Sequence, residues 1–130
     1  MSEENVAVVR GMLEAFLRSD LTRALAAFDP DVEWDGTNLP DGKLAHGIDA
    51  VLEHISSWAE MWETWEVELE DVRDGGGDRV IAFIRERGRT TAGLELNERH
   101  SELYEVRNGL ITYRKGFSDA DEALRADGEG

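Results

Sequence analysis

The sequence predicts an α+β domain in which two N-terminal helices and one long helix are held by a curved antiparallel sheet, with a cavity between helix and sheet. Three observations predict it. Apolar residues recur at helical spacing near the start and again from Ile48; the chain from Glu66 onward reads as four strands in succession; and those strands are linked by hairpin turns instead of helices. A doubly wound parallel sheet needs a crossover between its strands and is disfavoured. A strongly bent sheet around one helix leaves a mouth, the default place for a ligand.

Val6, Val9, Leu13 and Phe16, spaced by three and four, mark the first helix. Ser19-Asp20 supplies a cap, and Leu21, Leu25 and Phe28 form the stripe of a short second helix that Asp29-Pro30 stops. In "DVEWD" alternation puts Val32 and Trp34 on one face of a short strand, with Asp35 on the other. Residues 36–47 gather Gly, Pro, Asn and Asp and read as a loop. The third helix is predicted from Ile48 to about Trp65 on the stripe Ile48, Leu52, Ile55, Ala59 and Trp62. Trp58, Trp62 and Trp65 share a face of it, which is read as core packing in preference to a ligand box. "EVELEDV" and "RVIAFIRERGRTT" are strands about the turn "DGGGD", and "RHSELYEVRNGLITYRKGF" is a hairpin. "SDADEAL" closes the chain as a short helix with Ser118 or Asp119 as its cap, followed by a fraying tail.

At 130 residues and 41% hydrophobic composition the chain suits one domain, with its core over about residues 4–125. The formal charge is -15, from 29 acidic and 14 basic residues, so the field of the molecule repels nucleic acid and anionic lipid. Neither is an expected partner. With no cysteine there is no disulfide framework and no thiolate chemistry. The start carries no basic flank before an apolar run, and no apolar stretch reaches membrane-spanning length, so a cytoplasmic location is expected.

The hairpin holds the chemistry. His100, Glu102, Tyr104 and Val106 share one strand face, and neither face of the strand is cleanly apolar. Either the hairpin is solvated on both sides, or one face lines a cavity where ionisable groups are wanted. The three histidines share no motif, so no metal site is expected; His54 reads as exposed or packed, and His46 as a loop residue near the mouth.

Four stretches together, "LRSDLTRALAAFDPDVEWDG", "HGIDAVLEHISSW", "GDRVIAF" and "VRNGLITYRKGFSDADEAL", resemble the SnoaL-like branch of the nuclear transport factor two-like superfamily, the cone-shaped, cystatin-like fold of ketosteroid isomerases, limonene epoxide hydrolases and polyketide cyclases. The resemblance covers nearly the whole chain. It implies that Trp34, Ala82, Ile84, Glu86, His100, Glu102, Tyr104, Thr112 and Arg114 face the cavity, with Trp58 contributed by the third helix. That register requires a three-residue loop with a bulge at Asn108-Gly109, because a plain two-residue turn turns Tyr113 and Lys115 inward instead.

The family's known catalytic sets are mostly absent. The isomerase base falls on Trp34 and its phenol donor on Met12, with only its carboxylic acid matched, by Glu102. The hydrolase set falls near Gly116, Ile84 and Glu86, and the cyclase acid again on Gly116. What remains is His100, Glu102 and Arg114 as candidate catalytic residues, with Trp34, Ile84, Glu86, Tyr104, Thr112 and Trp58 as candidate substrate-binding residues. This set suits cofactor-independent isomerisation, cyclisation, hydration or dehydration of a small apolar carbonyl compound by general acid/base chemistry. The alternative is a non-catalytic binding or dimerisation module in which Arg114 satisfies Glu102 and Glu86 as an internal ion network. A homodimer is expected through the outer sheet face, where the preferred register leaves Ile111, Tyr113 and Phe117.

Overall fold

A computed structural model of the chain describes residues 2–36 and 44–117. Its elements are α1 (Ser2–Leu17), α2 (Leu21–Leu25), β1 (Phe28–Asp35), β2 (Leu44–His46), α3 (Ile48–Glu60), β3 (Trp62–Gly76), β4 (Arg79–Thr90), β5 (Glu95–Arg107) and β6 (Leu110–Phe117). The expected last helix and the Asp119 cap lie outside the described residues. No helix among those described is long and apolar enough to cross a membrane.

The α+β class holds, with one six-stranded sheet in the order β2-β1-β6-β5-β4-β3. Every neighbouring pair is antiparallel except β1 and β6, which run parallel because the first strand is joined by the last after the chain has traversed the sheet. Register shifts at Trp62/Thr64, Leu69/Asp71 and Asp74/Gly76 in β3, and at Glu105/Val106 in β5, bend the sheet around the helices. The core fills the concave side: Val9 and Leu13 of α1, Val32 of β1, Val51 of α3, and Val80, Ala82 and Val106 of the sheet are all buried.

Between α1 and α2 the chain reverses through Ser19, at φ 62°, while Asp20 N–H reaches the Ala15 carbonyl and Ser19 N–H the Phe16 carbonyl. These are the two bonds of a Schellman cap, with serine where glycine is usual. Asp20 then caps α2 by accepting from Arg23 N–H at 3.2 Å. Phe28 is not on α2; it opens β1, and Pro30 is tolerated in that strand because the pairing with β6 is interrupted between Phe28 and Glu33. The loop expected over 36–47 contains β2, a strand of three residues that is too short to show alternation.

The third helix ends at Glu60, not Trp65. Glu60 and Glu63 would set negative charge at its C-terminal end, against the helix dipole, and Trp62, Thr64 and Trp65 favour a strand. Trp62 and Trp65 therefore enter β3. On α3 Val51 is the buried residue, Leu52, Ile55 and Trp58 are half-buried, and Ala59 of the expected stripe is exposed.

The hairpin resolves differently from the expected three-residue loop. Asn108 and Gly109, at φ 54° and 78°, form a two-residue turn, with Arg107 opposite Leu110 and Val106 opposite Ile111. Glu105 then pairs with Tyr113, so Thr112 is the extra residue of a bulge. From there on Arg114 lies opposite Tyr104, and the cavity-facing position falls to Arg114 instead of Lys115, as expected for a different reason. Ile111, ahead of the bulge, points inward and is fully buried in the main core, which corrects its placement on the outer face. Phe117 is on the outer face as expected, where it clusters with Ile81 and Leu103, with Phe83 packed beside them.

Candidate functional site

Alternation on β5 sends His100, Glu102 and Tyr104 to the concave face. Glu102 sits opposite Ala82 on β4 and Gly116 on β6, the smallest side chains available, and this leaves room for diagonal neighbours. Three donors fill that room. His100 Nε2 is 2.9 Å from Glu102 Oε2, Arg114 Nη2 donates to the same oxygen at 2.5 Å, and the Tyr104 hydroxyl donates to Oε1 at 2.5 Å. All four residues are buried. Arg114 is further held by its stack on the Trp34 ring, 4.1 Å from the centroid, across the parallel β1–β6 pairing.

Burial opposes ionisation of Glu102, but the Arg114 charge and the His100 hydrogen bond outweigh it and hold its pKa far below the usual carboxylate range. Burial also opposes charging His100; the Glu102 hydrogen bond and charge prevail, so its pKa stands above 6.5. The Tyr104 phenol is pushed well above 10.0, first by burial and then by the Glu102 charge. Glu102 is thus a fixed anion, and His100 is the group able to exchange a proton near neutrality.

Glu86 has a different environment from the expected Arg114 pairing. Its Oε2 accepts two indole N–H bonds, from Trp58 at 3.1 Å and Trp65 at 2.6 Å, and its Oε1 stands 4.0 Å from His100 Nδ1. Both residues belong to one cavity of about 120 Å³, walled by α1, α2 and α3 on one side and the sheet on the other. A shallower groove of about 620 Å³ shares Phe16, Leu17, Leu21, Ile55, Trp65 and Val67 with that wall, so the cavity adjoins an open vestibule.

The structure brings His100, Glu102, Arg114, Trp34, Ile84, Glu86, Tyr104 and Trp58 to this one cavity. Thr112 does not line it: as the bulge residue it turns its hydroxyl to the Glu105 carbonyl at 3.3 Å. The cavity residues that escaped the sequence reading include His54, Trp65 and Glu98. His54 lines the wall beside Trp34, ring centroids 6.2 Å apart, and was legible only from the stripe Val51, Ile55, Trp58 that it interleaves. Trp65 was assigned to the wrong element, though its alternation with Val67 and Leu69 marks a strand face. Glu98, opposite Glu86 on β5, continues the inward alternation of His100 and Glu102. His46 is exposed on β2. Among the described residues no group of three or more His, Asp or Glu is arranged to hold a metal.

Residues 9–114 match the SnoaL-like domain. An uncharacterised protein of Mycobacterium tuberculosis is 34% identical over 116 residues, which is 85% of each chain. Among solved structures, a nuclear transport factor two-like protein from Burkholderia pseudomallei is 26% identical, with 94% of this chain and 95% of that one covered and a TM-score of 0.76. The fold is shared as well with a Mycobacterium tuberculosis protein solved with estradiol-17β-hemisuccinate, which is 20% identical, with 91% and 95% of the chains covered and a TM-score of 0.72.

Proposed function

The chain belongs to the SnoaL-like family, and on that premise we propose that it is a cofactor-independent acid/base enzyme, an isomerase, cyclase or hydratase/dehydratase acting on a small apolar carbonyl compound. The observation that carries this reading is the His100–Glu102 pair: Nε2 is engaged by a carboxylate at 2.9 Å, which leaves Nδ1 to face the cavity. As imidazolium, His100 delivers the Nδ1 proton to a carbonyl oxygen or a leaving hydroxyl; in its neutral form Nδ1 takes a proton from the carbon next to the carbonyl. Glu102 holds the ring in position and stabilises its charge, and Arg114 with Tyr104 keeps Glu102 ionised. A neighbour of the same fold crystallised with a small organic ligand is consistent with the cavity serving as a binding site.

The test has two stages. A thermal-shift screen of small ketones, lactones and terpenoids identifies a ligand that raises the melting temperature. Exchange of its α-protons in D2O, followed by proton NMR, is expected with the wild type and lost in His100→Ala. A bound ketone that never exchanges would remove the catalytic reading.

A second reading has an observation of its own. Glu102 already accepts from three donors, as a purely structural network would require, and this favours a non-catalytic binding module. Binding without exchange is its signature. A homodimer through the outer sheet face around Ile81, Leu103 and Phe117, and a cytoplasmic location, belong to the same proposal. Sedimentation showing only monomer at tens of micromolar, roughly where a modest interface associates, would remove the dimer.

A further inference from the structure

Resting on the reading of this cavity as the binding site, we propose that its ligand is a neutral hydroxyl compound of about the size of a phenol, whose single hydroxyl bridges Glu86 Oε1 and His100 Nδ1. These two atoms are 4.0 Å apart, too far for a hydrogen bond to each other and close enough for one oxygen to lie about 2.8 Å from both. Their remaining capacity is complementary. Glu86 Oε2 is occupied by the Trp58 and Trp65 indoles, so Oε1 is the oxygen left to accept. His100 Nε2 is committed to Glu102, so Nδ1 is the nitrogen left, and the raised pKa of the ring favours a proton there. A hydroxyl accepts from Nδ1–H and donates to Oε1 at once; an ether or a hydrocarbon cannot donate.

Size and charge narrow the class. The cavity of about 120 Å³ is comparable to a void of about 150 Å³ that admits benzene, so one ring fits before the ligand reaches the vestibule. The indoles of Trp58 and Trp65 give the ring flat apolar surface. Glu98, facing the cavity across from Glu86, adds a second carboxylate and disfavours an anionic ligand.

The experiment follows the indole N–H signals of 15N-labelled protein, with Trp58 and Trp65 assigned through W58F and W65F, during titration with phenol, anisole, toluene, benzoate and benzylammonium. Phenol is expected to shift both signals and to bind at least about tenfold more tightly than each of the others. Glu86→Gln should weaken phenol by about tenfold and leave toluene unchanged, and His100→Gln provides the same comparison should Glu86→Gln fail to fold. Equal affinities for phenol, anisole and toluene would mean that a bridging water only occupies the gap, and would overturn the proposal. So would preference for benzylammonium or benzoate, absence of phenol binding, or phenol binding indifferent to both variants. Phenol selectivity together with a bound ketone that never exchanges its α-protons would sink the catalytic reading while leaving this one standing.

Discussion

His100 and Glu102 stand two residues apart on β5 with Nε2 and Oε2 2.9 Å apart, yet the carboxylate owes its charge chiefly to Arg114. The two donors are therefore not equivalent. Arg114→Ala strips the permanent cation from a buried anion, and stability at neutral pH should fall by about 3 kcal/mol. His100→Ala removes one bond of three, with an expected loss of about 1 kcal/mol. Urea unfolding of the two variants side by side measures the difference; equal, small losses would mean that the Arg114–Glu102 pair does not hold in solution.

The same cluster makes stability depend on pH in a defined direction. His100 has a raised pKa in the fold, so its contribution is fully present below its unfolded value near 6.5 and is lost as pH rises through the folded value, where the native state holds the extra proton. Glu102 is depressed, so its contribution is present above its unfolded value of 4.5 and is lost as pH falls toward the folded value. Arg114 and Tyr104 keep their protons through the neutral range, and Glu86 faces His100 from β4. Urea midpoints should decline from pH 6.5 into the alkaline range in the wild type, and this slope should flatten in His100→Gln. An unchanged slope would assign the effect to another group.

Trp65 and Glu86 should be energetically coupled. The 2.6 Å indole bond serves a carboxylate that is 7% exposed, so neither partner finds a full substitute in water. A double-mutant cycle of W65F and E86Q should give a coupling of about 1–2 kcal/mol in unfolding free energy. The cycle cancels the separate loss of the Trp65 edge contact with Phe16, ring centroids 6.0 Å apart. A coupling near zero would mean that the indole merely packs.

How much of this was legible in the sequence follows from range. The first three helices, the late strands and the shared face of His100, Glu102 and Tyr104 follow from local periodicity and stand, apart from the end of α3, while the family resemblance, not the periodicity, pointed that face into the cavity. The errors lie where local pattern was ambiguous or irrelevant. A period of three and four running through Trp62 extended α3 into β3, since the same residues also read as a strand. The bulge at Thr112 leaves no local mark that distinguishes it from a longer turn, yet it decides that Arg114 is inside and Lys115 is not. The indole clamp on Glu86 joins α3, β3 and β4, and its members lie 21 and 28 residues from the carboxylate. No spacing rule reaches that far.

Gly88 is the point at which a single methyl group should disturb that clamp. It lies on β4 opposite Trp65, and a Cβ there would stand 2.4 Å from the Thr64 carbonyl oxygen and 2.8 Å from the Trp62 ring. The backbone carbonyl cannot swing aside as a side chain would, so β3 itself must move outward at its register shift between Trp62 and Thr64. Trp62 packs edge-on against Trp58 at 5.6 Å, and Trp65 is its neighbour on the same strand, so both donors to Glu86 are displaced together. Gly88→Ala should therefore lose about 2 kcal/mol of stability. It should also move the Trp58 and Trp65 indole N–H signals upfield as their bonds to Glu86 lengthen, which a mere loss of stability elsewhere in the sheet would not do. If the variant unfolds at the wild-type urea midpoint with unmoved indole signals, β3 does not approach β4 as closely at this glycine as the structure has it.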